Sequence, residues 1–383
     1  MRIKTVTLGL ALGSVAMFAA SAMAQSAPAG PFTPYASIRM FIGGLYENHT
    51  AANGSHGDVE FLEHLNATSR LGVDFNKGAL GGKAEIGLAA NATGGTPYLR
   101  HAFLTYKFAM GLEILAGQTD TPMNFPPAQD GWDDSFMTGG AGSSNMGRIP
   151  QIKLSFAGAY LDLIAPRRLE IPTVMTGDEY YVSGYPTIWG EYADTYMPRI
   201  AVGYEYKSQM ISGGIGAAFY QYFAQTNEAK TVVGDNEFAW MVYGHGKVDL
   251  GAIFVAFNAS FQHAPALLGM VSASLMNNKL VRQAAVANLG DSVFEGYVEV
   301  GYKLPSGVLS FLAGYTQNVS DSKNDAIKDA KGNANILGLE ILYAHEVVKG
   351  FKIIPQVLYT TSFKKDLDNP EAVEFGIKFQ GDL

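Results

Sequence analysis

The sequence predicts an all-β fold, a transmembrane antiparallel β-barrel of about sixteen strands. Three observations predict it. Segment after segment alternates apolar and polar residues with the period-two pattern of a half-buried strand. The connections between these segments are short and long by turns. After Gln25 no stretch reaches the roughly 18 uninterrupted apolar residues of a membrane helix, yet 48% of the 383 residues are hydrophobic, with 44 Gly, 20 Tyr and 22 Phe. A secreted β-sandwich or a propeller is the soluble alternative.

The first residues read as a targeting segment. Arg2 and Lys4 form a positive n-region, Val6–Ala20 is an apolar stretch too short to span a bilayer, and Ala22-Met23-Ala24 is a small-residue cleavage site before Gln25. Residues 1–24 are thus expected to be a cleaved signal peptide and 25–383 a single barrel domain, because a barrel cannot be cut without exposing an edge. Removing Arg2 and Lys4 takes the formal net charge from −8 to −10 (−8 − 2). A chain this acidic, without a clustered positive surface, excludes nucleic acid as a partner. Cysteine is absent, so no disulfide staples the fold.

Alternation is clearest in four places. In Glu63–Asn76, Leu65, Ala67, Leu71, Val73 and Phe75 oppose His64, Asn66, Thr68, Arg70, Asp74 and Asn76. Ile253, Val255, Phe257 and Phe261 oppose Asn258, Ser260 and Gln262; Val298, Val300, Tyr302 and Leu304 oppose Glu295, Tyr297, Glu299 and Lys303; Val373, Phe375, Ile377 and Phe379 oppose Glu374, Gly376 and Lys378. A sandwich with one wet face alternates in the same way, so the loop pattern decides.

From Tyr35 onward, tight turns are expected at Asn76–Gly78, Ala109–Gly111, Ala157-Gly158, Lys207–Gln209, Leu250-Gly251, Pro305–Gly307 and Val348–Gly350. Long connections are expected at Glu47–Phe61, Asn91–Pro97, Thr119–Gly147, Pro166–Thr195, Tyr222–Asn236, His263–Asp291, Asn318–Asn333 and Phe363–Glu371. Short turns at one end and long loops at the other are the asymmetry of outer-membrane barrels. Aromatics near strand ends, among them Tyr35, Tyr46, Phe75, Tyr98, Phe156, Tyr160, Tyr206 and Phe261, read as girdles at the lipid–water interface.

Ser69-Arg70-Leu71-Gly72-Val73, followed after a tight turn by Leu80-Gly81-Gly82-Lys83-Ala84-Glu85-Ile86-Gly87-Leu88, resembles the trimeric general porins of Gram-negative outer membranes. Tyr35–Tyr46 is similar to the opening Tyr-rich strand of that family, and Arg100-His101-Ala102-Phe103 to its R-x-A-aromatic strand. The resemblance is specific over Tyr35–Gln118. It implies a sixteen-stranded homotrimer in the outer membrane, in contact with its lipid and lipopolysaccharide, that passes small hydrophilic solutes and ions. It further implies a third external loop folded into the lumen, and Thr119–Gly147 is the third long loop. Gln118 departs from the family, which commonly has arginine there, and the chain ends Gln380-Gly381-Asp382-Leu383 where the family usually ends on an aromatic.

A water-filled pore needs inward polar groups, and clusters of charge at its narrowest point impose preference. Parity turns Arg39, Arg70 and Lys83 inward. Arg100 shares its register with Ala102, Leu104 and Tyr106; the resemblance implies that it too faces in, leaving His101, Thr105 and Lys107 on the other face. A charge on the lipid side at mid-bilayer costs roughly 2–4 kcal/mol. Facing this basic wall, the sequence offers Asp120, Asp130, Asp133 and Asp134 in Thr119–Gly147 as the acidic side of a transverse field. Glu85, Glu113, Lys153, Arg199, Glu205, Lys247, Glu295, Glu299 and Lys303 are further inward candidates, and Arg167-Arg168 face external solvent or lipid phosphates.

The expected function is passive diffusion through a water-filled channel. A substrate-specific channel for a sugar or an organic acid is the alternative on the same barrel. An outer-membrane hydrolase is the rival of another class, but the seven histidines lie in no G-x-S-x-G setting. No cofactor is expected, and His49, His56 and Asp58 sit in a glycine-bearing stretch without fixed geometry for a metal.

Overall fold

In the computed structural model, seventeen strand segments form one antiparallel sheet that closes on itself. Described are residues 30–51, 54–66, 68–91, 94–124, 141–142, 147–166, 197–222, 225–226, 232–233, 237–263, 292–319, 335–363 and 371–383. The expected signal peptide, Asp130, Asp133, Asp134 and Arg167-Arg168 lie outside them, as do the side chains of residues 47–58.

The strands are β1 (Phe32–Ala51), β2 in two segments (Gly54–Leu65 and Arg70–Lys77), β3 (Leu80–Asn91), β4 (Gly94–Lys107), β5 (Glu113–Asp120), β6 (Arg148–Phe156), β7 (Ala159–Ile164) and β8 (Arg199–Lys207). There follow β9 (Ile211–Tyr222), β10 (Glu237–Asp249), β11 (Ile253–His263), β12 (Ser292–Leu304), β13 (Gly307–Val319), β14 (Asn335–Val348), β15 (Phe351–Phe363) and β16 (Glu371–Asp382). A two-residue ribbon, Gln225–Thr226 with Val232–Val233, stands apart. Both segments of β2 pair with β1, so the seventeen segments make sixteen staves (17 − 1). Each stave pairs with the next, and β1 pairs with β16 from Ser37↔Asp382 to Asn48↔Glu371, which leaves no open edge.

The interruption of β2 preserves parity. Leu65 pairs with Met40 and Arg70 with Ser37, so the four positions 66–69 stand opposite the two positions 38–39. Side chains alternate faces, so two extra residues return the strand to its former phase. His64 and Arg70 therefore share the inner face, as their spacing predicts. The backbone groups this bulge would orphan are satisfied locally: Arg39 N–H donates to Ser69 Oγ at 2.9 Å, and Asn66 N–H donates to the Arg39 carbonyl at 2.8 Å.

All seven tight turns fall at the expected places. At Ala157-Gly158 both residues have positive φ, 49° and 91°, the backbone of a type I′ hairpin turn. Alanine is the one non-glycine residue among the described residues with positive φ.

Two of the long connections are corrected. Glu47–Phe61 is mostly strand: β1 and β2 pair outward as far as Ala51↔Gly54. Asn91–Pro97 is likewise paired between β3 and β4, to Asn91↔Gly94. Ladder hydrogen bonds use backbone only, so a polar hairpin persists without an apolar pattern.

Inside and outside follow the pattern read from β11, β12 and β16. Phe257, Val298, Val300, Phe375 and Ile377 are exposed on the outer face, while Asn258, Ser260, Gln262, Glu295, Glu299, Glu374 and Lys378 are buried on the inner one. Three of the supposed girdle aromatics are inward instead. Tyr35, Tyr98 and Tyr160 lie against Gly72, Gly87 and Gly203 of neighbouring strands, where a Cβ would come within 2.4, 2.3 and 2.4 Å of the ring or its hydroxyl. A bare strand position lets a ring lie flat on the wall.

Ala157→Asn or Ala157→Gly should stabilise the barrel by up to about 1 kcal/mol, because a left-handed alanine costs roughly 1–2 kcal/mol. Denaturant unfolding of the refolded protein measures this.

Candidate functional site

The inner face of β1–β6 carries one connected charge cluster, and its centre is Glu85 of β3. Glu85 is 3% exposed. Arg100 Nε donates to its Oε1 at 2.5 Å, Tyr35 OH donates to its Oε2 at 2.6 Å, and Arg70 Nε stands 3.6 Å from Oε2. A carboxylate this buried is costly unless paired and hydrogen-bonded, and here three groups from three strands converge on it. Lys83 Nζ lies 3.4 Å from Asp74 Oδ1 and 4.9 Å from the Tyr35 ring centre. Arg39, 2% exposed, directs Nε to Ser37 Oγ at 3.1 Å and Nη1 to Thr68 Oγ1 at 3.4 Å.

All four sequence-derived basic residues thus lie on one arc of the inner wall. The route by which Arg100 gets there differs from the simple parity argument. Glu85 pairs with His101 and Ile86 pairs with Leu99, so Arg100 is the extra residue of a β-bulge. The bulge turns both Arg100 and His101 inward. His101, expected on the opposite face, stands 3.6 Å from Glu85 Oε1 and accepts or donates at Nδ1 to Thr119 Oγ1 at 3.0 Å. Gln118 explains the bulge's stability. Its Nε2 donates to the carbonyls of Leu99 and Arg100 at 2.9 and 3.5 Å. On the row of Ala102 it supports the backbone and does not line the pore.

The cation that Gln118 does not supply comes from Arg148, which the sequence reading missed. Arg148 Nε lies 3.2 Å from Asp120 Oδ1 and 3.3 Å from His101 Nε2. Asp120 ends β5 as the cross-strand partner of Arg148, so it belongs to the wall and not to a loop facing it. Among the described residues five cations (Arg39, Arg70, Lys83, Arg100, Arg148) stand with three carboxylates (Asp74, Glu85, Asp120).

The connection from β5 to β6 enters the barrel. Met123, fully buried, packs with Ile149, Tyr160, Ile164, Ala201, Ala218, Tyr220, Met241 and Tyr243, the inner apolar patch of β6–β10. Asn124 Nδ2 donates to Asp120 Oδ1 at 2.8 Å, and Gln151 Nε2 holds the carbonyls of Thr119 and Asp120 at 2.9 and 3.1 Å. Further along, Gly142 N–H donates to Thr316 Oγ1 at 2.8 Å. Thr316 is an inward residue of β13, eight staves from β5 (13 − 5), half the circumference. Gly142 has φ +73°, and a Cβ there would sit 1.9 Å from the Gly296 carbonyl oxygen. Glycine is required on both counts. The two described parts of the connection thus rest on different arcs of the inner wall, Met123 on β6–β10 and Gly142 on β12–β13.

The inward glutamates of β12, β14 and β16 were not anticipated as a unit. Glu295 and Glu299 of β12, Glu340 of β14 and Glu374 of β16 all face inward. Gln262 Nε2 donates to Glu295 at 3.1 Å and Ser310 to Glu299 at 3.0 Å. Glu295, Glu299 and Glu340 stand on staves remote from the β1–β6 cluster, whereas Glu374 and the buried Lys378 lie on β16, which pairs with β1.

No protein-family model matches the sequence, and no curated protein does. Solved structures do resemble the barrel. The outer membrane channel DcaP of Acinetobacter baumannii aligns with TM-score 0.64 at 19% identity, over 92% of this chain and 97% of that one. The anion-selective porin from Comamonas acidovorans aligns with TM-score 0.53 at 12% identity, over 91% and 99%. OmpF of Salmonella typhi, in complex with daunomycin, aligns with TM-score 0.55 at 12% identity, over 91% and 97%. The shared feature is the fold, a closed barrel of the kind found in outer-membrane porins and channels.

Glu85→Gln should remove the charge that Arg100 pairs with and destabilise the barrel by about 3–5 kcal/mol, as for one partner lost from a buried ion pair, read by denaturant unfolding. Gly142→Val should unseat the β5–β6 connection from β12–β13, read as faster proteolysis of that connection in the folded protein.

Proposed function

We propose that the chain is an outer-membrane porin, a water-filled channel for passive diffusion of small hydrophilic solutes and ions. The observation that carries this reading is the Gly142–Thr316 contact, because a connection anchored across the lumen narrows a barrel without closing it. Sixteen staves support it, since barrels of this size leave an aqueous channel. The polar, charged inner face keeps that channel wet.

The narrow point lies between the Arg39, Arg70, Lys83, Arg100 and Arg148 arc and the inserted connection. Asp130, Asp133 and Asp134 supply its acidic side, together with the glutamates of β12–β16. A solute passing through meets a transverse field, which low-dielectric walls strengthen. The proposed assembly is a homotrimer embedded in outer-membrane lipid and lipopolysaccharide. It acts without enzymatic chemistry or a cofactor.

Planar bilayers test the reading directly. Purified protein should insert with stepwise conductance, three equal steps per event for a trimer. Folded protein that carries no ion current would remove the proposal. Replacing Asp130, Asp133 and Asp134 together by Asn should shift selectivity toward anions, and an unmoved reversal potential would count against the acidic side assigned to them.

A further inference from the structure

Below the entry of the β5–β6 connection lies a cavity of about 330 Å³, at the lower end of small-molecule pockets. Glu205, Ser212, His245 and Lys247 line it from the wall, and Thr121 and Asn124 line it from the connection. It lies on β8–β12, along the wall from the arginine arc.

The wall side is built. Glu205, Gly214 and His245 share one cross-strand row, and Lys207, Ser212 and Lys247 share the next. Glu205 reaches over Gly214 so that its Oε1 lies 3.1 Å from His245 Nε2. A Cβ at position 214 would be 2.5 Å from the carboxylate, so the bare glycine is what lets Glu205 cross. The imidazole contact engages Oε1 alone, and the Glu205 side chain stays 42% exposed. Lys247 Nζ lies 4.4 Å over the Phe254 ring. It stands two residues from His245, roughly 7 Å along the strand.

The loop side supplies a second observation. Thr121 is 3% exposed, and its Oγ1 has no hydrogen-bond partner in the protein. A buried hydroxyl left unpaired is costly, which points to a group that arrives from outside.

We propose that this cavity binds small zwitterions of the α-amino acid class. The ammonium of the solute pairs with Glu205, its carboxylate with Lys247, and Thr121 and Asn124 hydrogen-bond between them. A simple carboxylate would meet Glu205 as a like charge, a simple amine would meet Lys247, and a neutral sugar uses neither. Only a solute with both charges matches both groups. The site rests on the channel reading above, which delivers the solute.

Four probes decide it: L-alanine, propionate, ethylamine and glucose. Each is titrated against the detergent-solubilised protein by calorimetry, and against the KCl current in a planar bilayer. L-alanine should half-saturate at a concentration at least tenfold below the other three and reduce the current over the same range. Glu205→Gln and Lys247→Met should each weaken L-alanine at least tenfold. Equal affinity for the four probes, or none for L-alanine, overturns the site. Should a variant fail to fold, the four-probe comparison on the unaltered protein decides alone. A conducting protein without alanine preference loses the site and keeps the channel. A protein that binds L-alanine selectively but carries no current keeps the site and loses the channel.

Discussion

Hydrogen bonding of the strand backbone is the constraint on which everything else here rests. In hydrocarbon an unpaired N–H or carbonyl costs several kcal/mol, so a sheet can cross only if its last strand meets its first. The Ser37↔Asp382 to Asn48↔Glu371 ladder provides that meeting. Closure then fixes parity for every stave, since each residue has one neighbour on either side with which it shares a face. Apolar residues of β11 and β12 go outward and Glu295 and Glu299 go inward as a consequence.

Within that strict alternation, the inner wall is shaped by its departures. At β2 two extra residues preserve the phase and place hydroxyl groups beside Arg39. At β4 one extra residue breaks the phase and brings Arg100 and His101 inward side by side. Gln118 holds the carbonyls that this bulge releases. The outcome is a buried carboxylate, Glu85, gripped by residues from β1, β2 and β4. Glycines do related work by omission. They let Tyr35, Tyr98 and Tyr160 lie flat, and let Glu205 cross a strand to His245.

The β5–β6 connection joins these walls. Its first residues sit on an apolar patch through Met123, and its later ones seat on the backbone of β12 and β13 at Gly142. Apolar contact fixes its first residues, and a hydrogen bond with no room for a side chain fixes Gly142. Glu295 and Glu299 of β12 share the wall on which Gly142 seats.

The barrel was legible in the residues themselves because strand periodicity is local. Two residues per repeat declare inside and outside, and Gly-containing turns declare the hairpins. Arg39, Arg70 and Lys83 could be placed inward on that basis alone. The extended β1–β2 and β3–β4 hairpins were not legible by the same rule, because a polar ladder carries no apolar signature. Nor could parity locate His101, Arg148 or the seat of Gly142. A bulge is set by which carbonyls find donors across the sheet, here through Gln118. The meeting of Gly142 with Thr316 joins residues 174 positions apart. Sequence alone determined the alternation, the turn positions and the count of staves. Only tertiary structure decided which charges touch, because those contacts form between strands whose neighbours around the barrel are fixed by closure and not by spacing along the chain.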